Sequence, residues 1–452
     1  MRTTVLHNCQ LVDGRNTGIQ SNVDIIVVGS TIREISPTST TETYSGVDEI
    51  ISVDGNLVTP GLINNHTHGT AFGPLFPSGH EALPHSQILQ NLDTHLQEGT
   101  TTVLCVDGFV TADALAATNQ SHPLQVSLAS CNTPACLEAA TLADGGGLSD
   151  ENIAFSATDA IGAGAVALGE IGAGHTLGGG GASYMYIPME VRRRTGVTIT
   201  SKQADKLKIA VLGRHISASS FDHDAVEESI VDANLAGKLS VDEAKEIVSD
   251  IVLPAFDVAL YGLTEAAGQA QQSGVPVLVH NAAASMTQVA DIARREVTVI
   301  AGHSNHNSFD LREGLEHAER LKEHGVIVDV STLDTFGAQL ITSGPDLLFA
   351  MFDQGLVDTI STDYAGGHHD SILLVIDRAV KAGVVSLPAA IAMASANVAD
   401  AIPGLAPNRG RVVPGGCADM VITRADALDD VQAVIVNGTV EVRNGKRVAS
   451  AA

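Results

Sequence analysis

Between residues 58 and 363 the chain alternates short apolar runs with segments of helical periodicity, and each run has the length of a buried strand. Eight such runs occur. This alternation is typical of a closed parallel sheet with helices outside it, so we predict a (β/α)8 or TIM barrel. Its strands are expected at Val58–Asn64, Thr101–Val106, Gln125–Cys131, Ala165–Glu170, Pro276–His280, Thr298–His303, Val326–Ser331 and Asp358–Asp363.

The interval between the fourth and fifth predicted strands is much longer than a βαβ unit of about thirty residues requires. We therefore expect an insertion at about 172–272, which begins with a Gly-rich stretch and continues with helical patterns. Both chain ends, 1–57 and 411–452, consist of short strand patterns separated by Asp-Gly and Asn-Gly turns. They predict one small β-sandwich domain built from both ends, with the barrel, 58–410, inserted between them.

The charge balance narrows the range of partners. Lys plus Arg total 25 and Asp plus Glu total 52, so the formal net charge is −27. Such a surface repels phosphate backbones, and nucleic-acid binding is not expected. The sequence contains neither a signal-peptide pattern nor an apolar run of the roughly eighteen residues that a membrane span needs. We predict a cytoplasmic protein that acts on a small molecule and does not bind a membrane.

The strongest local signal is a strand that ends in two histidines, His66 and His68, after a Pro60-Gly61 entry. Because side chains alternate across a strand, both imidazoles leave the same face, which at the carboxyl end of a barrel strand points into the mouth. Two imidazoles so placed suit one divalent ion. The alternative is a pair of surface histidines in a loop.

Four further predicted strands end in a residue that can ligate a metal, namely Glu170, His280, His303 and Asp363. A buried carboxylate needs a partner, and a cation is one. For Glu170 the alternative partner is an arginine from the insertion. Neutral imidazole is the commonest metal ligand, although a lone histidine at a strand end is more often a satisfied core residue. His306 is an alternative to His303 as the ligand.

In chain order the pattern His-x-His, Glu, His, His, Asp resembles the amidohydrolase superfamily, which shares a Pro-Gly-apolar-apolar-Asp-x-His-x-His signature. Asn64 stands where aspartate is usual. The run Gly169–Gly172 is similar to the branch in which a Glu, instead of a carboxylated Lys, bridges two metals. Within the superfamily the enamidase-like cyclic-amide hydrolases are the most similar. The resemblance runs from about Thr3 to Val442 and is thinnest inside the insertion.

The resemblance implies two divalent cations, zinc first, with iron, manganese or cobalt as alternatives. It implies hydrolysis of an amide-type C–N bond, a cyclic amide first, by a metal-activated hydroxide, with Asp363 as both ligand and proton shuttle. Alternatives are hydrolysis of a carbamate, thiocarbamate or urea, deamination of an aminoheterocycle, and a non-catalytic assembly role. A homo-oligomer, dimer or tetramer, is expected. The implied ligands are His66, His68, Glu170, His280, His303 and Asp363.

Substrate contacts are expected from the loops at the barrel mouth, because βα loops at this face build barrel pockets. The candidates are His175, His306, His368 and His369. An imidazole from the loop after the last strand, that of His368 or His369, would stabilise an oxyanion. The equally good interpretation is that both are exposed loop residues without a role in the reaction. We interpret the glycines of 178–181 as a lid hinge. Further candidates in the insertion are Tyr184, Tyr186, Arg192, Arg214 and His215.

Overall fold

The computed structural model describes residues 1–15, 17–337, 344–363 and 369–448. Its central element is a barrel of eight parallel strands, each paired with the next along the chain, which confirms the predicted TIM barrel. We number all strands in chain order. The barrel strands are β6 (Leu62–Thr67), β7 (Thr100–Gly108), β8 (Gln125–Ser130), β9 (Ala167–Ile171), β10 (Val277–His280), β11 (Val299–Gly302), β12 (Ile327–Ser331) and β13 (Thr359–Ser361).

Hydrogen bonds close the barrel between its first and last strands. The backbone N–H of Asp363 donates to the carbonyl of His66 at 3.0 Å. Asn64 Nδ2 donates to Thr362 Oγ1 at 2.7 Å, and Asn64 Oδ1 accepts from the backbone N–H of Thr362 at 3.2 Å. Asn64 thus connects the first barrel strand to the end of the last one, 298 positions away in sequence. Closure places Asp363 beside His66.

Helices cover the outside of the barrel and shield its apolar strands from water. They are α1 (His85–Gln97), α2 (Ala112–Ser121), α3 (Pro134–Ala143), α4 (Asp150–Ala154), α5 (Ala157–Gly162), α6 (Ile187–Thr195), α7 (Ser201–Leu212), α8 (His223–Asp232), α9 (Val241–Ser273), α10 (Met286–Ile292), α11 (Leu311–Glu323), α12 (Asp346–Asp353), α13 (Ile372–Ala382), α14 (Leu387–Met393) and α15 (Ala396–Ala401). Short 3₁₀ turns occupy Thr41–Tyr44 and Ala218–Ser220, and a π-helical turn occupies Ala182–Tyr186.

The long interval between β9 and β10 contains α6 to α9. Helix α9 begins with a capping box, in which Ser240 and Glu243 each bond the other's backbone N–H. By length and composition it is the one helix of the described residues that would suffice to cross a membrane. However, it packs against α3 and β9, and its Val248, Val252 and Leu263 are buried. The apolar residues of α9 are therefore buried in the core around the barrel.

A second sheet of nine strands joins the two chain ends. Its strands β5 and β14 pair antiparallel, and it has a core of its own that includes Leu6, Ile25, Met420 and Ile435. The predicted separate β-domain is thus present. Its strands are β1 (Thr3–Leu11), β2 (Gln20–Val28), β3 (Thr31–Pro37), β4 (Glu49–Ser52), β5 (Leu57–Pro60), β14 (Met420–Arg424), β15 (Ala427–Val436), β16 (Thr439–Arg443) and β17 (Lys446–Arg447).

The first barrel strand begins later than the sequence pattern suggests, because Leu57–Pro60 belongs to the second sheet. The apolar run continues through Gly61, so the hydrophobic pattern of the sequence does not indicate where the chain passes from one sheet to the other. At Gly61 the chain passes so close to β7 that a Cβ atom would lie 2.3 Å from Thr101 Oγ1. Only glycine allows this approach, and it marks the point where the chain leaves the sheet for the barrel.

Candidate metal centre

Six side chains from five barrel strands converge at the carboxyl end of the barrel, as the strand-end pattern predicts. The alternation of side chains explains the convergence. On β10, Leu278 packs inside the barrel while Val277 and Val279 face the helices, so His280 also points inward. The six are His66 and His68 at the end of β6, Glu170 on β9, His280 on β10, His303 after β11 and Asp363 after β13.

The two carboxylate oxygens of Glu170 face two different groups of side chains. Oε1 is hydrogen-bonded to His280 Nδ1 at 2.8 Å and to His303 Nε2 at 2.9 Å. Oε2 lies 3.6 Å from His66 Nε2 and 3.5 Å from His68 Nε2. Asp363 Oδ1 lies on the second side, 3.4 Å from His66 Nε2 and 3.7 Å from His68 Nε2. Glu170 therefore lies between two potential ligand sets.

The charges at this centre are tightly coupled. Burial alone would raise the pKa of Glu170, but the His66 imidazole and hydrogen bonds from His280 and His303 hold it well below its usual range. Burial opposes charge on His68 and His303 as well, yet their carboxylate neighbours raise the pKa of His68 to about 10 and that of His303 to about 9. The carboxylates thus stabilise positive charge at this site.

A divalent cation is compatible with this negative electrostatic environment and with the donor atoms present. Among the described residues, neither ring nitrogen of His66 nor Nε2 of His280 has a hydrogen-bond partner, although these atoms are buried. Unpaired buried nitrogens are costly, and coordination is one way to satisfy them. The donor atoms of His66, Glu170 and His303, and those of His66, His68 and Asp363, lie within 4.8 Å of one another. Imidazole and carboxylate are ligands that zinc and similar cations accept.

The sequence reasoning missed Asp107 at the end of β7. Its Oδ1 is hydrogen-bonded to His68 Nδ1 at 2.9 Å and accepts the backbone N–H of Phe76 at 3.0 Å. Its Oδ2 accepts the N–H of Gly69 at 2.9 Å. Such a carboxylate orients the imidazole and leaves Nε2 available to a cation. The signal was visible, since Asp107 ends a buried apolar strand just as Glu170 does.

Asp329 on β12, also missed, supports the centre from inside the barrel. It accepts hydrogen bonds from Thr359 Oγ1 and Ser361 Oγ, both at 2.7 Å, and from Asn65 Nδ2 at 3.1 Å. Burial raises its pKa despite these bonds. Asp329 therefore ties β12 to β6 and β13, the strands that carry His66 and precede Asp363.

Two of the converging residues have an uncommon backbone conformation. His303 has φ 37° and Asp363 has φ 48°, in the left-handed region that non-glycine residues rarely adopt. Both directly follow a strand or its last extended residue, so the turn redirects each side chain toward Glu170. Strained conformations of this kind persist where the surrounding structure holds them, and they concentrate at functional sites.

A cavity with about 960 Å³ of empty space, partly open to solvent, adjoins the centre. One wall is aromatic, since His175 stacks on Phe76 with ring centroids 4.4 Å apart and meets Tyr186 edge-on at 5.4 Å. Burial lowers the pKa of His175 to about 3, so its ring is neutral. Tyr184 also lines the cavity, and burial together with the charges of Asp334 and Asp363 raises its pKa. The other described lining residues include Met185, Asn305, His306, Asn307, Ser331 and Leu333.

The remaining sequence candidates lie in different places. His306 lines the cavity, but its Nδ1 bonds Ser308 Oγ at 2.8 Å, whereas His303 contacts Glu170. His369 is absent from the described lining and bonds Glu98 Oε2 at 2.7 Å. His368 lies outside the described residues.

Three insertion candidates are absent from the described lining of the cavity and have partners elsewhere. Tyr186 Oη donates to Asp144 Oδ2 at 2.5 Å. Arg214 and His215 both pair with Glu313.

The glycine loop 178–181 packs directly against the centre. A Cβ atom on Gly179 would lie 2.9 Å from His280 Nε2. The absence of a side chain there allows the loop to pack closely against this imidazole. Close packing is a sufficient reason for glycine at this position, beside the hinge role that the sequence suggested.

Comparison with known proteins identifies the fold. No family model and no curated protein sequence matches this chain. Among solved structures, D-aminoacylase, described as having a binuclear metal center, aligns with a TM-score of 0.57 at 14% identity over 99% of this chain and 98% of that one. A beta-aspartyl dipeptidase from Fervidobacterium islandicum AW-1 aligns with a TM-score of 0.53 at 16% identity over 99% of both chains. Enamidase, described as a member of the amidohydrolase superfamily, aligns with a TM-score of 0.52 at 15% identity over 100% and 99%.

Proposed function

We propose that this chain is a metal-dependent hydrolase of the amidohydrolase superfamily that cleaves an amide-type C–N bond in a small molecule. The observation that carries the proposal is the position of Glu170, whose two oxygens face two separate groups of donors. A carboxylate in that position suits a bridge between two cations. The fold shared with the three solved enzymes supports the same conclusion, although a shared fold alone never determines a substrate.

In this proposal His66, His68 and Asp363 would hold one cation and His280 and His303 the other, and Glu170 would contribute an oxygen to each. His303 is preferred to His306 because its Nε2 lies 2.9 Å from Glu170 Oε1, while the His306 ring bonds Ser308. Zinc is the first choice for both positions, since His and carboxylate donors suit it well.

When bound, the cations supply a Lewis acid and make hydroxide available near neutral pH. The protein side chains orient the ligands and transfer the proton. Asp363 faces the cavity with 17% of its side chain exposed, so it can accept a proton from the attacking water and deliver it to the leaving nitrogen. Asp107 keeps His68 in one tautomer. Glu170 stays ionised because its imidazole neighbours lower its pKa.

The cavity wall favours a neutral, flat substrate. Apart from the histidines, the charged groups in its described lining are Glu170 and Asp363, both assigned to the cations. Lys208 and Arg214, cations of the neighbouring helix and loop, pair with Asp205 and Glu313. A ring packs well on the His175–Phe76 stack, and an amide edge suits the side chain of Asn307, which also lines the cavity. We therefore propose a cyclic amide as the first substrate class.

The test is a screen of the zinc-loaded protein against neutral cyclic amides, their carboxylate-bearing analogues, linear carbamates and ureas, and aminoheterocycles. We expect ring opening of neutral cyclic amides without ammonia release. Ammonia from a heterocycle would identify a deaminase instead, and preference for carbamates or ureas would identify the other alternative. No turnover of any class by protein that binds two zinc ions would favour a non-catalytic role.

Glu170→Gln provides the structural control for this screen. Replacing the shared carboxylate with an amide is expected to lower zinc content and remove turnover. Glu138→Gln, an exposed glutamate on α3, should leave both unchanged. If Glu170→Gln keeps the zinc content and turnover of the original protein, the bridging role is wrong. A cytoplasmic location and a dimeric or tetrameric assembly stay predictions.

A further inference from the structure

A second group of histidines and a carboxylate lies between α1 and α13, outside the cavity lining. His95 is on α1, Glu98 directly follows that helix, and His369 lies three residues before α13. His95 is fully buried, and the side chains of His369 and Glu98 are 4% and 29% exposed. The group is therefore an interior feature and not a set of solvated surface charges.

The three side chains converge closely. His369 Nε2 lies 2.7 Å from Glu98 Oε2, and the ring centroids of His95 and His369 are 5.4 Å apart. One donor atom from each residue lies within 4.8 Å of the other two. His95 and Glu98 are three positions apart, so they leave the same side of the helix end. His369 approaches from a different part of the chain.

The chemistry of the group matches a divalent cation. Two imidazoles and one carboxylate form a donor set that zinc accepts, and water can complete a tetrahedral site. His95 also lies on a helix face with Leu92 and Leu96, both fully buried. A hydrogen-bonded ion pair of His369 with Glu98, with His95 packed beside it, is the alternative.

We infer that His95, Glu98 and His369 form a further cation site, distinct from the centre at the barrel mouth, which binds a zinc-type divalent ion. Its role is structural. The site joins α1, which follows the strand of His66, to α13, which follows the strand end of Asp363. A cation there would fix the end of α1 and the segment before α13, each of which follows a strand end with ligands of the mouth centre. The inference does not depend on the proposed function.

The test compares zinc content in the full-length protein after metal stripping and reloading with zinc alone. Glu98→Gln is expected to hold one zinc ion per chain fewer than the original protein, and to gain less in Tm when zinc is added. The matched control is Glu323→Gln, which alters an exposed glutamate at the end of α11 and should change neither quantity. Equal zinc content in folded Glu98→Gln and the original protein would overturn the site.

Glu170→Gln separates this site from the mouth centre. That variant is expected to lose zinc from the mouth and still lose one further ion when Glu98→Gln is added. If Glu98→Gln does not fold, crystals of the original protein loaded with zinc give the answer through anomalous scattering at the zinc edge. A peak between His95, Glu98 and His369 supports the site, and a peak at the mouth alone overturns it.

Discussion

The barrel mouth and the group of His95, Glu98 and His369 both bring histidines together with a carboxylate, but their surroundings differ. At the mouth, six donors from five strands adjoin a cavity that is partly open to solvent. The second group has three donors from the ends of helical segments and contributes nothing to the described lining of that cavity. Structural metal sites are closed, whereas catalytic ones keep a position open to substrate. Access to solvent, more than donor chemistry, therefore separates the two proposed roles.

The support beneath the donors differs as well. At the mouth, Asp107 and Asp329 hold the donor-bearing segments from inside the barrel through hydrogen bonds of 2.7–3.1 Å. Strand ends supported in this way keep donors in precise positions, which catalysis requires and structural binding needs less.

Chelation should abolish activity before it empties the second site. The mouth opens to solvent through the cavity, while His95 and His369 are shielded. During dialysis against a strong chelator, turnover is expected to vanish while about one zinc ion per chain remains. Zinc content and turnover are measured on the same samples over time, with zinc restored at the end as the control. Turnover that survives removal of nearly all zinc would contradict both assignments.

Asp363→Asn should lower kcat by about 10²- to 10⁴-fold, because the amide cannot shuttle the proton. Zinc content should largely remain, since the amide oxygen is still a donor. Asp353→Asn, at the exposed end of α12, is the control. Near-normal turnover of a zinc-loaded Asp363→Asn protein would remove the shuttle role.

Asp107→Asn is expected to reduce zinc affinity or turnover by about 10- to 100-fold, because an amide fixes the His68 tautomer less firmly. Zinc titration and kcat give the measurement. Asp113→Asn, an exposed aspartate in the first turn of α2, should behave as the unaltered protein does. An Asp107→Asn variant with unchanged zinc affinity and kcat would mean that His68 needs no orienting partner.

Tyr184→Phe should have the smallest effect. Tyr184 lines the cavity, whose described lining contains no donor of the second group. Loss of its hydroxyl should raise KM by about two- to tenfold, which corresponds to one neutral hydrogen bond. kcat and zinc content should stay within about twofold. Tyr261→Phe, which is 62% exposed on α9, is the control. A loss of zinc in Tyr184→Phe would instead connect this residue to the metal centre.

Much of the mouth centre was predictable from the sequence. Strand periodicity is two and the carboxyl ends of parallel strands meet at one edge, so a polar residue that ends an apolar run must point to that edge. The rule located His66, His68, Glu170, His280 and Asp363. It applies equally to Asp107, where the signal was present but was not used.

Other features depended on the tertiary structure. His369 meets Glu98 across 271 positions, and no local pattern connects them. Asn64 is recognisable in the sequence as a departure, but only barrel closure shows that Thr362 is its partner. The change of sheet at Gly61 is likewise hidden inside a continuous apolar run. The sequence by itself determined which residues end the strands, because backbone periodicity is local. Only the closed barrel decided which of them become neighbours, because that depends on how distant strands and helices pack together.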